Sequence, residues 1–112
     1  MNLTIEYISD SITKLNLIGK MDLLGAQAID IRFNAMSSSG KNIIVNFEEV
    51  TFLASMGIRT LVMGAKAAQL KNCKMVILKP NADVEEVLIA SGLDSLFSIV
   101  QDMSSAEAVF NS

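Results

Sequence analysis

The chain reads as a single α/β domain, and three observations carry that reading. Two segments of alternating apolar and polar residues, separated by turn residues, open the chain. Two β-branched runs follow with a long amphipathic segment between them, and no linker, repeat or low-complexity tract divides the 112 residues. A β-branched run, a helix and a second β-branched run make a crossover between parallel strands, which places the chain in the α/β class. Hydrophobic residues make up 51% of the chain and charged ones 19%, enough apolar material for one core at this length.

Residues 3–7 and 12–17 alternate apolar and polar side chains, and Ser9-Asp10-Ser11 between them is turn chemistry, so the chain is expected to open with an antiparallel hairpin. Gly19 to Asp22 closes the second strand. Asp22 is placed to N-cap a helix over residues 23–36, in which Ala26, Ile29, Phe33 and Met36 recur every three or four residues. Ser37-Ser38-Ser39-Gly40 stops it. Asn42-Ile43-Ile44-Val45-Asn46-Phe47 is the expected central strand, covered on both faces. A short acidic and apolar connection then delivers Ser55 to a helix over residues 55–70, and Met75-Val76-Ile77-Leu78 forms the next strand, with Cys73 buried and inert at its start. Lys79-Pro80-Asn81 breaks that strand, and Asn81 caps a helix over residues 82–91 with Val84, Val87 and Leu88 on one face. Gly92 ends it, Leu93 folds back, residues 97–100 form an edge strand, and residues 104–110 form a last helix.

Composition removes several classes of chemistry. Nine basic residues against twelve acidic ones leave a net charge of -3 with no Lys/Arg run, which argues against direct nucleic-acid binding. Apolar runs fall short of the roughly 20 residues of a membrane span, and the first residues lack a basic segment followed by an apolar block, so no membrane association and a cytoplasmic location are expected. The lone Cys73 suits that reducing compartment. With no histidine and one cysteine there is no Cys/His metal set, no Ser-His-Asp triad and no histidine base. The six glycines, at 19, 25, 40, 57, 64 and 92, fit neither phosphate-binding glycine motif. No cofactor is expected.

Several local patterns together resemble the STAS domain of the bacterial anti-sigma factor antagonists. Leu17-Ile18-Gly19-Lys20-Met21-Asp22 is similar to that family's L-x-G-x-[LI]-D segment, and Ile43-Ile44-Val45-Asn46-Phe47 through Leu53 to its buried strand and lead-in. Ala54-Ser55-Met56-Gly57-Ile58 stands where the family has D-S-[SA]-G-[LIV], and Ser91-Gly92-Leu93 with Leu96-Phe97-Ser98-Ile99 matches its tail. Four pieces in order cover nearly the whole chain, so residues 1–112 are taken as one STAS domain. The resemblance implies a mixed sheet of about five strands with about four helices packed mainly on one side. It also implies a non-enzymatic role as an anti-sigma factor antagonist. In the scheme that the resemblance implies, the unphosphorylated protein captures an anti-sigma factor that is also a GHKL-type serine kinase, which frees a sigma factor. Phosphorylation of the serine after the motif aspartate, here Ser55, switches capture off, and a PP2C-type phosphatase restores it. The family's aspartate is Ala54 here and its small residue is Met56, so any service of that aspartate to the hydroxyl is missing.

Ser55 has two readings, as phosphoacceptor and as helix cap. Asp22 is a site-edge acid or a plain cap, and the cap is favoured. Asn46 bonds the Ser55 loop or a partner, or else its own turn, and Glu48 and Glu49 read as solvated. On the helix from Ser55, Ile58, Leu61, Val62, Ala65 and Ala68 should face the sheet, leaving Met56, Arg59, Met63 and Lys66 on the other side. With Gly57, that stripe is the candidate docking face, two adaptable methionines beside two steering cations. A second reading is a STAS scaffold that senses a nucleotide or other small ligand, or joins a larger signalling assembly, without phosphorylation. An enzyme with Ser55 as nucleophile is disfavoured, because no general base accompanies it.

Overall fold

The computed structural model describes residues 1–111. In chain order the elements are β1 (Asn2–Tyr7), β2 (Ile12–Met21), α1 (Leu23–Ser37), β3 (Asn42–Leu53), α2 (Ser55–Leu70), β4 (Met75–Leu78), α3 (Ala82–Ala90), a single 3-10 turn (Leu93–Ser95), β5 (Ser98–Val100) and α4 (Met103–Phe110). The strands form one five-stranded sheet in the order β1-β2-β3-β4-β5. β1 pairs with β2 antiparallel and the other pairs are parallel, so the sheet is mixed with β3 at its centre. The opening hairpin, the central strand and the strand, helix, strand crossover therefore stand as the sequence predicts.

β3 is the main departure. It does not end at Phe47: Glu48 to Leu53, expected as a connection, continue the strand along β2. Two register shifts, between Asn16 and Ile18 and between Gly19 and Lys20, each give β3 one residue more than β2 over the same span. Extra residues of this kind are β-bulges, and they turn the strand's side-chain period from two to three. Phe47, Val50 and Leu53 consequently all point into the core with exposed residues between them.

Helices α1, α2 and α3 cover one face of the sheet, where Ile29, Phe33, Leu61, Ala65, Val84 and Leu88 meet Leu15, Leu17, Val45, Phe47 and Ile77. A smaller cluster on the opposite face packs Ala106 of α4 on Ile44, Val76, Leu78 and Val100. Val109 and Phe110 pack against it. The Asp102 carboxylate caps α4, and the backbone and hydroxyl of Ser105, helped by the charge of Lys79, hold it below the usual carboxylate range. The strip of α2 facing inward is wider than periodicity predicts, because Thr60 and Gly64 are buried as well. A Cβ at Gly64 would stand 2.5 Å from the Phe33 ring and 3.0 Å from Ser37 Oγ, so α1 approaches α2 closely there. Cys73 lies before β4 rather than in it and is only half-buried, with its thiol 3.4 Å from the Lys71 carbonyl oxygen.

Candidate functional site

The parallel strands β2, β3 and β4 end at one edge of the sheet, and the N-termini of α1, α2 and α3 follow directly. Each junction has its own cap chemistry. The Asp22 carboxylate accepts from the Gly25 N–H at 2.8 Å, and the Asn81 side chain accepts from the Val84 N–H at 2.8 Å. Asn81 also donates to the Val50 carbonyl oxygen at 3.3 Å, which ties the start of α3 to the long end of β3. The middle junction is different. Ala54 holds the N-cap position of α2 in extended backbone and has no side chain with which to cap it.

Ser55 is therefore the first residue of the helix, beside the cap position rather than in it, and its side chain is exposed. The Ala54 N–H donates to the Met21 carbonyl oxygen at 3.1 Å, and Met21 pairs with Leu53 across the strands, so the turn is anchored to the end of β2. Gly57 completes the anchor. A Cβ there would lie 2.7 Å from Met21 Cγ and 2.8 Å from the Met21 carbonyl oxygen, so only glycine lets the first turn of α2 sit this close. The same logic places Gly25, whose Cβ would lie 1.9 Å from the Lys20 carbonyl oxygen.

Along α2, Met56 and Arg59 line a cleft of about 300 Å3 between α1 and α2, together with Met63 and the buried Thr60. Ala26, Gln27 and Asp30 of α1 form its other wall. Met56 is half-buried and Met63 is half-exposed, and Arg59 and Lys66 are exposed. Lys66 stands one turn beyond the cleft. Gln27, Asp30 and Thr60 were not among the expected site residues. Gln27 and Asp30, three apart on α1, carry a periodic signal, but one that points at no target until α1 is known to pack on α2.

The remaining candidates lie outside the cleft. Asp22 caps α1 beside the Ser55 junction, and Gly57 is buried. Asn46 does not end the central strand near Ser55: it lies seven residues before the end of β3, about 23 Å at about 3.3 Å per residue. Its side chain donates to Asn16 Oδ1 at 2.8 Å and accepts from the Glu48 N–H at 3.1 Å. Asn16 in turn donates to Glu6 at 2.8 Å, so Asn46 belongs to a polar row across β1, β2 and β3. Glu48 is exposed and pairs with Lys79 at 3.6 Å.

No curated protein matches the chain. Residues 5–106 match the family model of the STAS domain. Among solved structures, the anti-sigma factor antagonist SpoIIAA in its unphosphorylated form is 18% identical, with a TM-score of 0.70 over 96% of this chain and 94% of that one. The Bacillus cell fate determinant SpoIIAA in its phosphorylated form is 19% identical, with a TM-score of 0.73 over 96% of this chain and 99% of that one. An anti-sigma-factor antagonist (STAS) domain protein from Planctomyces limnophilus is 16% identical, with a TM-score of 0.84 over 98% of each chain. At these identities the likeness is one of fold.

Proposed function

The chain belongs to the STAS domain family, and from that premise we propose that it is an anti-sigma factor antagonist whose capture of its partner is switched off by phosphorylation of Ser55. The observation that carries the reading is the head of α2: an exposed serine on a rigidly anchored turn, with an alanine cap that leaves the first amides free of any side chain. A phosphate on Ser55 adds about -1.5 to -2 of charge at neutral pH. Helix N-termini carry partial positive charge and unpaired N–H groups, so the fold accepts the anion there. A partner surface fitted to a neutral hydroxyl does not, and it is repelled.

In this reading the partner is an anti-sigma factor with GHKL-type serine kinase activity, and a PP2C-type phosphatase removes the phosphate. Met56, Arg59 and Met63 along the cleft, with Lys66 beyond it, supply the docking face, and Asp22 flanks it. Gly57 serves that face by seating the turn rather than by touching the partner. The protein itself acts as a cytoplasmic binding module and catalyses nothing. Among the described residues no helix is long and apolar enough to cross a membrane.

Intact-mass measurement after incubation with ATP and the candidate kinase tests the switch. Wild type should gain one phosphate and Ser55→Ala none. A protein that stays unmodified, or a phosphate retained in Ser55→Ala, contradicts it. The cleft favours a second reading, in which the scaffold senses a nucleotide or other small ligand, because its volume reaches the lower range of ligand pockets and Gln27, Asp30, Arg59 and Thr60 are polar groups converging on it.

A further inference from the structure

The exposed surfaces of α2 and α3 carry opposite charge. α2 has two cations, Arg59 and Lys66, and no acid, whereas α3 has three acids, Asp83, Glu85 and Glu86, and no cation. Asp30 on the α1 wall is the one acid lining the cleft. Among the described residues the ion pairs are Lys14 with Glu6 and Lys79 with Glu48, so the charges of α2 and α3 are not spent on neighbours.

Both surfaces also have an apolar centre. On α3, Ile89 is 51% exposed in a shallow hollow of about 430 Å3 shared with Ala82, Glu85, Glu86 and Ala90. On α2, Met63 is 50% exposed at the rim of the cleft, between Arg59 and Lys66. An aliphatic side chain flanked by glutamates is thus matched by a methionine flanked by cations, with open volume on each side to receive the other.

We propose that a second copy of this chain docks here, the acidic face of α3 in one molecule seating in the α1–α2 cleft of the other. Ile89 meets Met56 and Met63, and Glu86 meets Arg59 and Lys66. The nine residues of α3 span about 14 Å, so one such contact falls below the roughly 1,200 Å2 of stable complexes. α1, α2 and α3 cover the same face of the sheet, so a two-fold pairing makes the contact twice and brings the area toward that range. The dimer covers Met56, Arg59 and Met63 and holds the protein back from its partner. That masking rests on the function proposed above; the self-association does not.

Sedimentation velocity on the isolated protein tests the association without kinase or partner. Wild type should shift from monomer to dimer between about 10 μM and about 1 mM at low salt, and return toward monomer as salt is raised to about 0.5 M. Glu86→Lys and Lys66→Glu, both at exposed positions, should each weaken association at least tenfold. Their equimolar mixture should recover it, because each variant's altered face then complements the other's. Wild type that stays monomeric throughout overturns the proposal, as does a dimer that neither reversal weakens or a mixture that fails to recover. Dimerisation lost instead in Ile31→Glu would overturn it too, and would assign the contact to the exposed apolar stripe of Leu24, Ala28, Ile31 and Ala35 on α1.

Discussion

A methyl group added at Gly57 would press on Met21 Cγ, Leu53 Cδ1 and the Met21 carbonyl oxygen, all within 2.8 Å. Leu53 Cδ1 is a terminal methyl that can shift, whereas Met21 Cγ lies in the middle of a fully buried side chain and the carbonyl is fixed because it accepts the Ala54 N–H. Alanine gains about 1 kcal/mol of helix propensity over glycine, while overpacking of this kind costs about 1–3 kcal/mol. Gly57→Ala should therefore be destabilised by up to about 2 kcal/mol, read as a lower urea midpoint with an unchanged slope. A midpoint equal to or above wild type would show that the turn has room for a methyl group at Gly57. Single residues are also where the sequence was most legible. Asp22 and Asn81 announce their caps by residue type and position, and both do cap. Ser55 is legible as a serine at the head of the helix, in the cap position or beside it, but not as which of the two: Ala54, which takes the cap, gives no signal of its own.

Among the elements, α2 matches its expected bounds while β3 does not, and the difference is physical. A helix carries its periodicity within itself, so Ser55 to Leu70 shows its buried strip whatever it packs against. A bulged strand takes its period from its neighbour: Phe47, Val50 and Leu53 are three apart because β3 spends two extra residues along β2, which the β3 residues alone do not disclose. Asn46 was misplaced for the same reason, since ending the strand at Phe47 puts it at the edge and extending the strand puts it in the middle. The cleft was half legible. Met56, Arg59 and Met63 follow from the α2 pattern, whereas the α1 wall depends on the close approach at Gly64. Met63 is half-exposed, so Met63→Glu should leave the circular dichroism spectrum and melting temperature near wild type. The same change places a carboxylate between the two cations of the proposed docking face, and partner affinity measured by titration should fall about tenfold or more, equivalent to about 1.4 kcal/mol. Unchanged affinity would remove Met63 from that face.

For the molecule as a whole, the fold suits the proposed switch. The long bulged β3 and the anchored turn hold Ser55 at the sheet's edge, where it is exposed while the core that stabilises the domain lies beneath the helices. Charge added at Ser55 should thus change what the surface binds without changing whether the domain folds. The order of elements and the mixed sheet were legible because each local pattern agreed with the whole. A joint surface of α1 and α2 was not, because it exists only once two separate segments are packed. The most direct measurement compares unmodified protein with protein carrying phosphoserine at position 55, by calorimetric titration against the proposed anti-sigma factor partner and by thermal melting. The phosphorylated form should bind at least about tenfold more weakly, a loss of about 1.4 kcal/mol, while melting within a few degrees of the unmodified form. Equal affinity of the two forms, or lost binding that accompanies lost folding, would contradict the account.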